Sequence, residues 1–336
     1  MQIGCYQLAA PFALAPMAGI TDKPFRQLCR DFGAGWAVSE MLTSDPKLQQ
    51  TRKTLQRADT EGESGVRVVQ IAGSDPQQMA DIARYNVIRG AQIIDINMGC
   101  PAKKICNVLA GSALLQNEAL VASILQAVVD AVAVPVTLKT RLGWDDDHCN
   151  ILTIGDIAEK AGIAALAVHG RTRTQMYHGT ARYELITQLR QQIRIPLWVN
   201  GDITSPQKAA KVMLQTGANG VMVGRAAQGQ PWLFRDLRYF YLHGCLPSAL
   251  TVAEHANIIR HHIQSIHDFY GEYIGVRIAR KHIGWYVAAL PDGANFRRTV
   301  NKVEEACEQL QMIDDYLDRQ VAQLNAWPCA YRENMH

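Results

Sequence analysis

The sequence predicts a TIM barrel followed by a small all-helical C-terminal domain. Short apolar runs recur along the first two thirds of the chain, and amphipathic stretches lie between them. Strand candidates are missing after about residue 242, where the pattern becomes helical. The chain has 336 residues, of which 48% are hydrophobic and 19% charged, and this composition excludes an intrinsically disordered protein. We therefore expect the α/β class, with alternating strands and helices closed into a (β/α)8 barrel.

The eight strand candidates are rich in Val and Ile and apolar on successive residues, as parallel strands buried on both faces are. They are Phe12–Met17, Ala37–Glu40, Val66–Gln70, Ile93–Asn97, Val134–Lys139, Ala165–His169, Pro196–Asn200 and Gly220–Gly224. Their starts lie roughly 24 to 41 residues apart, which leaves room for a crossover helix and two loops. A doubly wound sheet is the alternative, but no GxGxxG motif opens any strand–helix unit, which favours the barrel.

The helical part begins after a linker at Gly244–Ser248. We predict a barrel domain over residues 1–242, a helical domain over 248–325 and a tail over 326–336. Basic residues and aromatic residues interleave in the helical domain, which is typical either of a nucleic-acid-binding face or of a solvated helix face.

Charge and cysteine content narrow the class of protein further. The net charge of +3 neither indicates nor excludes a nucleic-acid binder. Eight Cys occur without a CxxC pair, so we expect reduced thiols and no metal site. The N-terminal residues lack a secretory pattern, and no apolar run is long enough to span a membrane. We expect a monomeric cytoplasmic protein.

Polar side chains end nearly every strand candidate. A barrel would bring these strand ends to one mouth, where TIM-barrel active sites lie. Gln70 and Asn97 can both donate and accept, which suits the edge of a heterocyclic ring, and Lys139 supplies a positive charge. Gly224 and Arg225 follow the eighth strand, where barrels commonly bind a phosphate. One phosphate and one amide-edged ring together suggest FMN.

Cys100 follows the fourth strand, between Gly99 and Pro101. A thiol in such a tight loop can reach the barrel mouth and act as an acid. The alternative is a small buried hydrophobic residue, which is the usual role of a free Cys. Lys103 and Lys104 come next and suit an anionic substrate such as a phosphate backbone.

Five motifs occur in a fixed order along the first two thirds of the chain. They are Ala15–Asp22 (APMAGITD), Asn97–Pro101 (NMGCP), Leu138–Arg141 (LKTR), Val168–Thr172 (VHGRT) and Val199–Asp202 (VNGD). This set of motifs resembles that of the tRNA-dihydrouridine synthase family. The resemblance runs from about Cys5 to past Asn301. Finer stretches, such as Arg277–His282 (RIARKH), are similar to the bacterial B subfamily.

The resemblance implies an oxidoreductase that holds FMN, is reduced by NADPH (or NADH), and reduces the C5–C6 bond of a uridine in tRNA. It implies Cys100 as the proton donor. The implied FMN ligands are Pro16, Met17, Ala18, Gln70, Lys139, His169, Asn200, Gly201, Asp202, Gly224 and Arg225. The implied tRNA-binding residues are Asn97, Lys103, Lys104, Arg141, Arg171, Arg277, Arg280, Lys281, Arg297 and Arg298. The B subfamily implies position 17 of the D-loop as the target.

Two other functions remain open at this point. A flavin barrel that acts on a free pyrimidine, such as a dihydroorotate-type dehydrogenase, would share FMN and a loop acid or base but would need no basic helical domain. A tRNA-binding protein without catalysis would need no flavin.

Overall fold

The computed structural model describes residues 1–45, 47, 51–101, 110–329 and 331. Within these ranges the chain forms two compact units, Met1–Gly224 and Arg225–His336. All strands of the described residues lie in the first unit, and the described residues of the second unit form helices. The helix Leu233–His243, which the sequence analysis places in the barrel domain, belongs to the second unit.

Eight parallel strands close into a barrel in the first unit, as predicted. They are β3 (Phe12–Leu14), β4 (Trp36–Val38), β6 (Arg67–Ala72), β7 (Ile93–Met98), β8 (Val136–Arg141), β9 (Ala165–His169), β10 (Leu197–Asn200) and β11 (Gly220–Val223). Closure comes from the parallel pairing of β11 with β3, in which Val223 lies opposite Leu14. Every barrel strand therefore has two hydrogen-bonded neighbours, and no edge is left open.

The second barrel strand is interrupted by a bulge that the sequence did not predict. β4 and a short strand β5 (Leu42–Thr43) both pair with β6, with Val38 opposite Val68 and Leu42 opposite Ile71. One more residue therefore lies on this strand than on its partner, which defines a β-bulge. The bulge turns residues 39–41 out of the regular alternation at the carboxyl end of the barrel.

Helices alternate with the barrel strands. They are α1 (Lys23–Asp31), α2 (Arg52–Ala58), α3 (Pro76–Ile88), α4 (Glu118–Ala131), α5 (Ile151–Lys160), α6 (Glu184–Gln192) and α7 (Pro206–Thr216). Their starts follow local chemistry: Ser205 caps α7 by accepting the backbone N–H of Lys208, and Pro206 occupies the first turn. α7 ends at Gly217, whose φ of 66° is the left-handed conformation that suits glycine.

The end of the barrel where the strands begin is filled with apolar side chains. A short hairpin, β1 (Gln2–Ile3) and β2 (Tyr6–Gln7), precedes the barrel, and Ile3 belongs to the same buried cluster as Trp36 and Trp198. The two indole rings meet edge to face with centroids 5.3 Å apart. The hairpin has no counterpart among the strands predicted from the sequence. Because this end is closed by packed hydrophobic residues, polar groups are left to the opposite, carboxyl end.

The second unit consists of helices packed on each other. They are α8 (Leu233–His243), α9 (Val252–Tyr270), α10 (Glu272–Tyr286), α11 (Gly293–Val300) and α12 (Ala306–Gln323). α9 begins with a reciprocal capping box between Thr251 and Glu254. No helix in the described ranges is long and apolar enough to cross a bilayer.

Candidate active site at the carboxyl ends of the barrel strands

Polar side chains from neighbouring strands form one hydrogen-bonded chain inside the barrel. Asn97 Nδ2 donates to Gln70 Oε1 at 2.8 Å, and Gln70 Nε2 donates to Asp95 Oδ2 at 2.7 Å. Thr137 Oγ1 donates to Asp95 Oδ1 at 2.6 Å. Gln70 and Asn97 are both buried. The two residues predicted to read a ring edge therefore hold each other in fixed orientations.

Asp95 is a buried carboxyl group that the sequence analysis left without a role. Burial raises its pKa to about 6, against the opposing effects of the hydrogen bonds from Thr137 and Gln70 and of the charge of Lys139. The signal that could have revealed it is an Asp in the middle of the apolar run Ile93–Met98. Its Oδ2 accepts from Gln70 Nε2 and so fixes the orientation of the Gln70 amide.

Lys139 and Asn200 meet across the barrel interior. Lys139 Nζ donates to Asn200 Oδ1 at 3.1 Å, and Asn200 Nδ2 donates to the carbonyl of Met222 at 2.8 Å. Burial lowers the pKa of Lys139 to about 8, and the charge of Arg141 lowers it further, while Asp95 and Cys100 oppose the shift. A negative charge placed beside this amine would be stabilised by it and would restore its proton affinity.

The loop that carries Cys100 is fixed from both sides. Asn97 Oδ1 accepts the backbone N–H groups of Gly99 and Cys100, at 3.1 and 3.0 Å. The Cys100 carbonyl accepts from the hydroxyl and the backbone N–H of buried Ser112, at 2.8 and 3.1 Å. Cys100 is half-buried, so its thiol is neither a core group nor fully exposed. The loop therefore holds the thiol side chain at the strand-end level of the barrel.

Glu40 lies in the bulge and anchors the loop that follows β3. Its carboxylate accepts the backbone N–H of Gly19 and forms an ion pair with Arg57 at 3.2 Å. Met17 donates its backbone N–H to Thr21 Oγ1 at 2.9 Å. These bonds shape the segment that contains Pro16, Met17 and Ala18, of which Pro16 and Met17 are half-buried and Ala18 is exposed.

Arg141 is directed into the loops that surround the mouth. Its Nε donates to the Gly99 carbonyl at 2.7 Å, and its Nη1 donates to the carbonyls of Thr172 and Met176 at 3.0 and 2.8 Å. Its guanidinium carbon lies 5.6 Å from the ring centroid of Tyr177. Arg141 is 2% exposed, so these contacts connect the Cys100 loop to the loop after β9.

Arg171 and Asp202 are paired with each other. Arg171 Nη2 donates to both carboxylate oxygens of Asp202, at 2.9 and 2.7 Å, and Asp202 also accepts the backbone N–H of Ala181 at 2.7 Å. Asp202 adopts a positive φ of 52°, which is uncommon outside glycine. The resemblance implies Arg171 as a tRNA ligand and Asp202 as an FMN ligand, and their ion pair is a relationship that only the folded loops reveal.

Tyr177 is a mouth residue that the sequence analysis missed. It is 51% exposed, and its ring centroid lies 6.2 Å from that of His169. It lies in a loop between β9 and α6, where no periodic pattern marks it, so only the structure brings it to the site.

The remaining predicted site residues lie in three places. Gly224 follows β11 and ends the first unit, whereas the exposed Arg225 begins the second. Lys103 and Lys104 lie outside the described residues, as does Cys106. In the described part of the chain, no group of three or more His, Cys, Asp or Glu side chains could hold a metal ion.

The predicted basic residues of the second unit lie on α10 and α11. Arg277 stacks on exposed Tyr273, with its guanidinium carbon 3.7 Å from the ring centroid, and lies 3.9 Å from Glu304. Arg280 donates to the Val303 carbonyl at 2.8 Å. Lys281 is half-buried on α10, whereas Arg297 and Arg298 on α11 are exposed.

The closed barrel, with polar side chains and a cysteine-bearing loop at the carboxyl ends of its strands, is the architecture of the α/β-barrel enzymes. Sequence comparison identifies the family within this class. The sequence model of the dihydrouridine synthase (Dus) family matches residues 13–322. The chain belongs to this family and, within it, to the B subfamily of the tRNA-dihydrouridine synthases.

Several curated relatives are similar over nearly their whole length, and each is named tRNA-dihydrouridine synthase B. The protein from Xanthomonas axonopodis pv. citri is 56% identical over 322 residues, covering 96% of this chain and 97% of the relative. Those from Vibrio vulnificus and Pseudomonas syringae pv. tomato are 53% and 54% identical, covering 95% of this chain in each case and 99% and 95% of the relatives.

Solved structures resemble the fold at low sequence identity. An old yellow enzyme homologue from Zymomonas mobilis superposes with a TM-score of 0.52 at 13% identity, covering 74% of this chain and 93% of that chain. A 2-naphthoyl-CoA reductase complex gives a TM-score of 0.55 at 12% identity, covering 70% of this chain and 51% of that chain. At these identities the likeness concerns the barrel fold alone.

Proposed function

We propose that this protein is an FMN-dependent oxidoreductase that uses NADPH to reduce the C5–C6 bond of a uridine in tRNA to 5,6-dihydrouridine. The observation that carries the proposal is the convergence of Lys139, Asn200, Asn97 and the Cys100 loop at one end of the barrel, in a chain of this family. The subfamily suggests position 17 of the D-loop as the target.

The side chains at the barrel mouth fit a flavin ring. Burial lowers the pKa of the Lys139 amine to about 8. A flavin ring gains negative charge on reduction, so this amine suits a position beside it. Gln70 and Asn97 are held by their mutual hydrogen bond. The hydrogen-bonding positions that remain on their amides would bind the flavin ring and the uracil base. When bound, the flavin supplies the hydride for C6 of uracil.

The phosphate end of FMN would lie at the loops after β10 and β11. Gly201 and Gly224 leave room for the backbone to approach a phosphate closely, and the side chains of Asn200 and Arg225 are polar. The Asp202 carboxylate is already neutralised by Arg171, so we assign the Asp202 side chain to shaping this loop. The backbone of Asp202 would then contact the phosphate.

Cys100 would deliver the proton that uracil C5 needs once C6 has received hydride. A thiol is suited to this step because it is largely protonated near neutral pH. The bonds from Asn97 and Ser112 hold its loop, so the thiol is presented in a fixed position. Asn97 would also hydrogen-bond the base, while Arg141 acts on the Cys100 loop through the Gly99 carbonyl. Lys103 and Lys104 would contact the anionic backbone of the RNA.

The second unit would supply the tRNA-binding surface. Arg277, Arg280 and Lys281 lie on α10, at the spacing that places residues three and four apart on one side of a helix. Arg297 on α11 lies against Gly284 of α10, which extends the same basic surface. Exposed Tyr273, backed by Arg277, adds a ring face that can stack on an unpaired base. We call Tyr273, Arg277, Arg280, Lys281, Arg297 and Arg298 the basic face.

A reconstitution experiment tests the proposal. Purified protein should carry a yellow cofactor that mass spectrometry identifies as FMN. With NADPH and an unmodified tRNA transcript, it should increase the mass of one D-loop fragment by two hydrogens. A free-pyrimidine dehydrogenase would instead turn over uracil or dihydroorotate without tRNA, and a non-catalytic RNA-binding protein would bind the transcript and leave its mass unchanged. We also propose that the protein acts in the cytoplasm as a monomer.

A further inference from the structure

Arg171 contacts His169 as well as Asp202. Arg171 Nη1 lies 3.3 Å from Nε2 of His169, and the remaining guanidinium nitrogens donate to the carbonyls of His178 and Gly179 at 3.0 and 2.7 Å. Arg171 is 2% exposed, so its position is determined by these partners and by Asp202. The guanidinium therefore cannot turn away from the imidazole without breaking bonds to the loop.

A guanidinium group can only donate hydrogen bonds. The contact with Arg171 therefore requires Nε2 of His169 to act as an acceptor, without a proton. An imidazolium ring has N–H at both nitrogens and would direct one donor at another. The neutral ring with its proton on Nδ1 satisfies this contact.

The backbone at Gly201 holds the same edge of the ring. A Cβ added at Gly201 would lie 2.9 Å from Cδ2 and 3.2 Å from Nε2 of His169, and 2.9 Å from Cβ of Ala181. Gly201 also has a φ of 112°, which side chains rarely adopt. The Cδ2–Nε2 edge of the imidazole therefore faces Gly201 and Arg171, and the Nδ1 edge faces away from them.

We infer that Arg171 is a positioning residue that holds His169 neutral with its ring proton on Nδ1, and that Asp202 and Gly201 complete the clamp. The clamped ring offers a single N–H donor, at Nδ1. The Nδ1–H group would donate to an oxygen or nitrogen acceptor of a flavin ring, and this flavin contact rests on the proposed function. The tautomer of His169 does not depend on the proposed function.

Nitrogen-15 NMR of the full chain, as purified and labelled at histidine, tests the tautomer directly. His169 is assigned by the signal lost in His169→Gln. We expect long-range proton–nitrogen correlations that show Nδ1 protonated and Nε2 unprotonated at pH 7.5. A His169 signal with the proton on Nε2, or on both nitrogens, would overturn the inference.

Variants then test whether Arg171 is the cause. Arg171→Met should convert His169 to the Nε2–H form or to a mixture, whereas Arg171→Lys, which keeps a donor, should retain more of the Nδ1–H form. Arg173→Met is the matched control, because Arg173 lies on the same loop but stacks on Trp144, with its guanidinium carbon 4.5 Å from the indole centroid. An unchanged tautomer in a folded Arg171→Met protein would refute the role of Arg171.

The flavin spectrum separates this inference from the proposed function. If His169 donates to the ring, Arg171→Met should shift the flavin absorbance bands, and Arg173→Met should leave them in place. A changed tautomer with unchanged bands would keep the clamp and refute the flavin contact. A protein without flavin would contradict the proposed function while the tautomer result stood.

Discussion

Asn97 accepts the backbone N–H of Cys100 at 3.0 Å through the same amide whose nitrogen donates to Gln70 at 2.8 Å. The side chain therefore joins the loop that carries the thiol to the buried chain of Gln70, Asp95 and Thr137. Because hydrogen bonds fix the amides of Gln70 and Asn97, a ligand bound by these two side chains would have a fixed position relative to Cys100.

Replacing the thiol should separate the two halves of the reaction. Cys100→Ala should keep FMN and its reduction by NADPH, because the residues assigned to the flavin are untouched. Dihydrouridine formation should fall by at least about 100-fold, since general acid catalysis contributes on that order. Single-turnover assays with mass spectrometry of the tRNA measure it. Cys106→Ala is the control, and if that variant were inactive and Cys100→Ala active, the assignment of the acid would be wrong.

The charge of Lys139 should set the reduction potential of the flavin. Lys139→Met removes a cation that stabilises negative charge on the reduced ring, so the potential should drop by about 30–60 mV, equivalent to a few kcal/mol for two electrons. Lys139→Arg should retain most of the potential. Lys160→Met is a matched control, because Lys160 is an exposed barrel lysine paired with Asp156. Equal potentials in Lys139→Met and wild type would remove Lys139 from the flavin site.

Two buried histidines should make the second unit sensitive to acid. His262 and His282 meet edge to face with ring centroids 4.8 Å apart, and His262 Nδ1 lies 2.8 Å from the Tyr286 hydroxyl. Burial lowers the pKa of His262 to about 3 from its ordinary value of 6.5, and the charges of His261 and Lys281 add to the shift. The pKa of His282 is also lowered, chiefly by burial.

The sign of the pH effect follows from these shifts. Below pH 6.5 these histidines become protonated in the unfolded chain but stay neutral in the folded chain. The free energy of unfolding should therefore fall as the pH drops from 6.5 towards 3. The free energy of unfolding is measured by urea unfolding of the full chain, with hydrogen exchange in α9 as the probe. It should depend less on pH for His262→Gln than for wild type. His261→Gln is the control, because His261 is exposed on the same helix. Identical pH profiles for both variants would exclude His262 as the source.

Tyr273 should contribute to tRNA affinity without contributing to its salt dependence. Tyr273→Leu should weaken binding by about 10-fold, since stacking on a base is worth roughly 1–3 kcal/mol, and Tyr273→Phe should bind like wild type. Arg298→Gln should instead reduce the slope of log affinity against log salt by about one phosphate contact. Filter binding over a salt series distinguishes the two effects. A Tyr273→Leu protein with wild-type affinity would exclude the stacking role.

The barrel could be predicted from sequence because each strand is a short apolar run. β7 and β9 were located almost to the residue, since Ile93–Asn97 and Ala165–His169 end in a polar side chain. The bulge between β4 and β5 could not be predicted, because it depends on the one-residue offset in pairing with β6. The hairpin before β3 was missed because two-residue strands give no periodic signal.

Site prediction from sequence depends on where side chains point once the loops have folded. Lys139 and Asn200 could both be placed at the barrel mouth because each ends a predicted strand of a closed barrel, although β9 lies between their strands. The Arg171–Asp202 pair could not, because both residues lie in loops and their contact spans 31 positions in the chain. The sequence predicts Arg141 as a ligand of the substrate, and the structure adds that its Nε and Nη1 donate to backbone carbonyls that only the folded loops supply.

The central claim is that this protein makes dihydrouridine in tRNA with Cys100 as the acid. Mapping dihydrouridine in tRNA from a strain that lacks the protein tests it most directly. We predict the loss of the modification at one D-loop position, restored by the wild-type gene but not by the Cys100→Ala variant. A strain whose tRNA keeps every dihydrouridine, or one rescued fully by Cys100→Ala, would contradict the account.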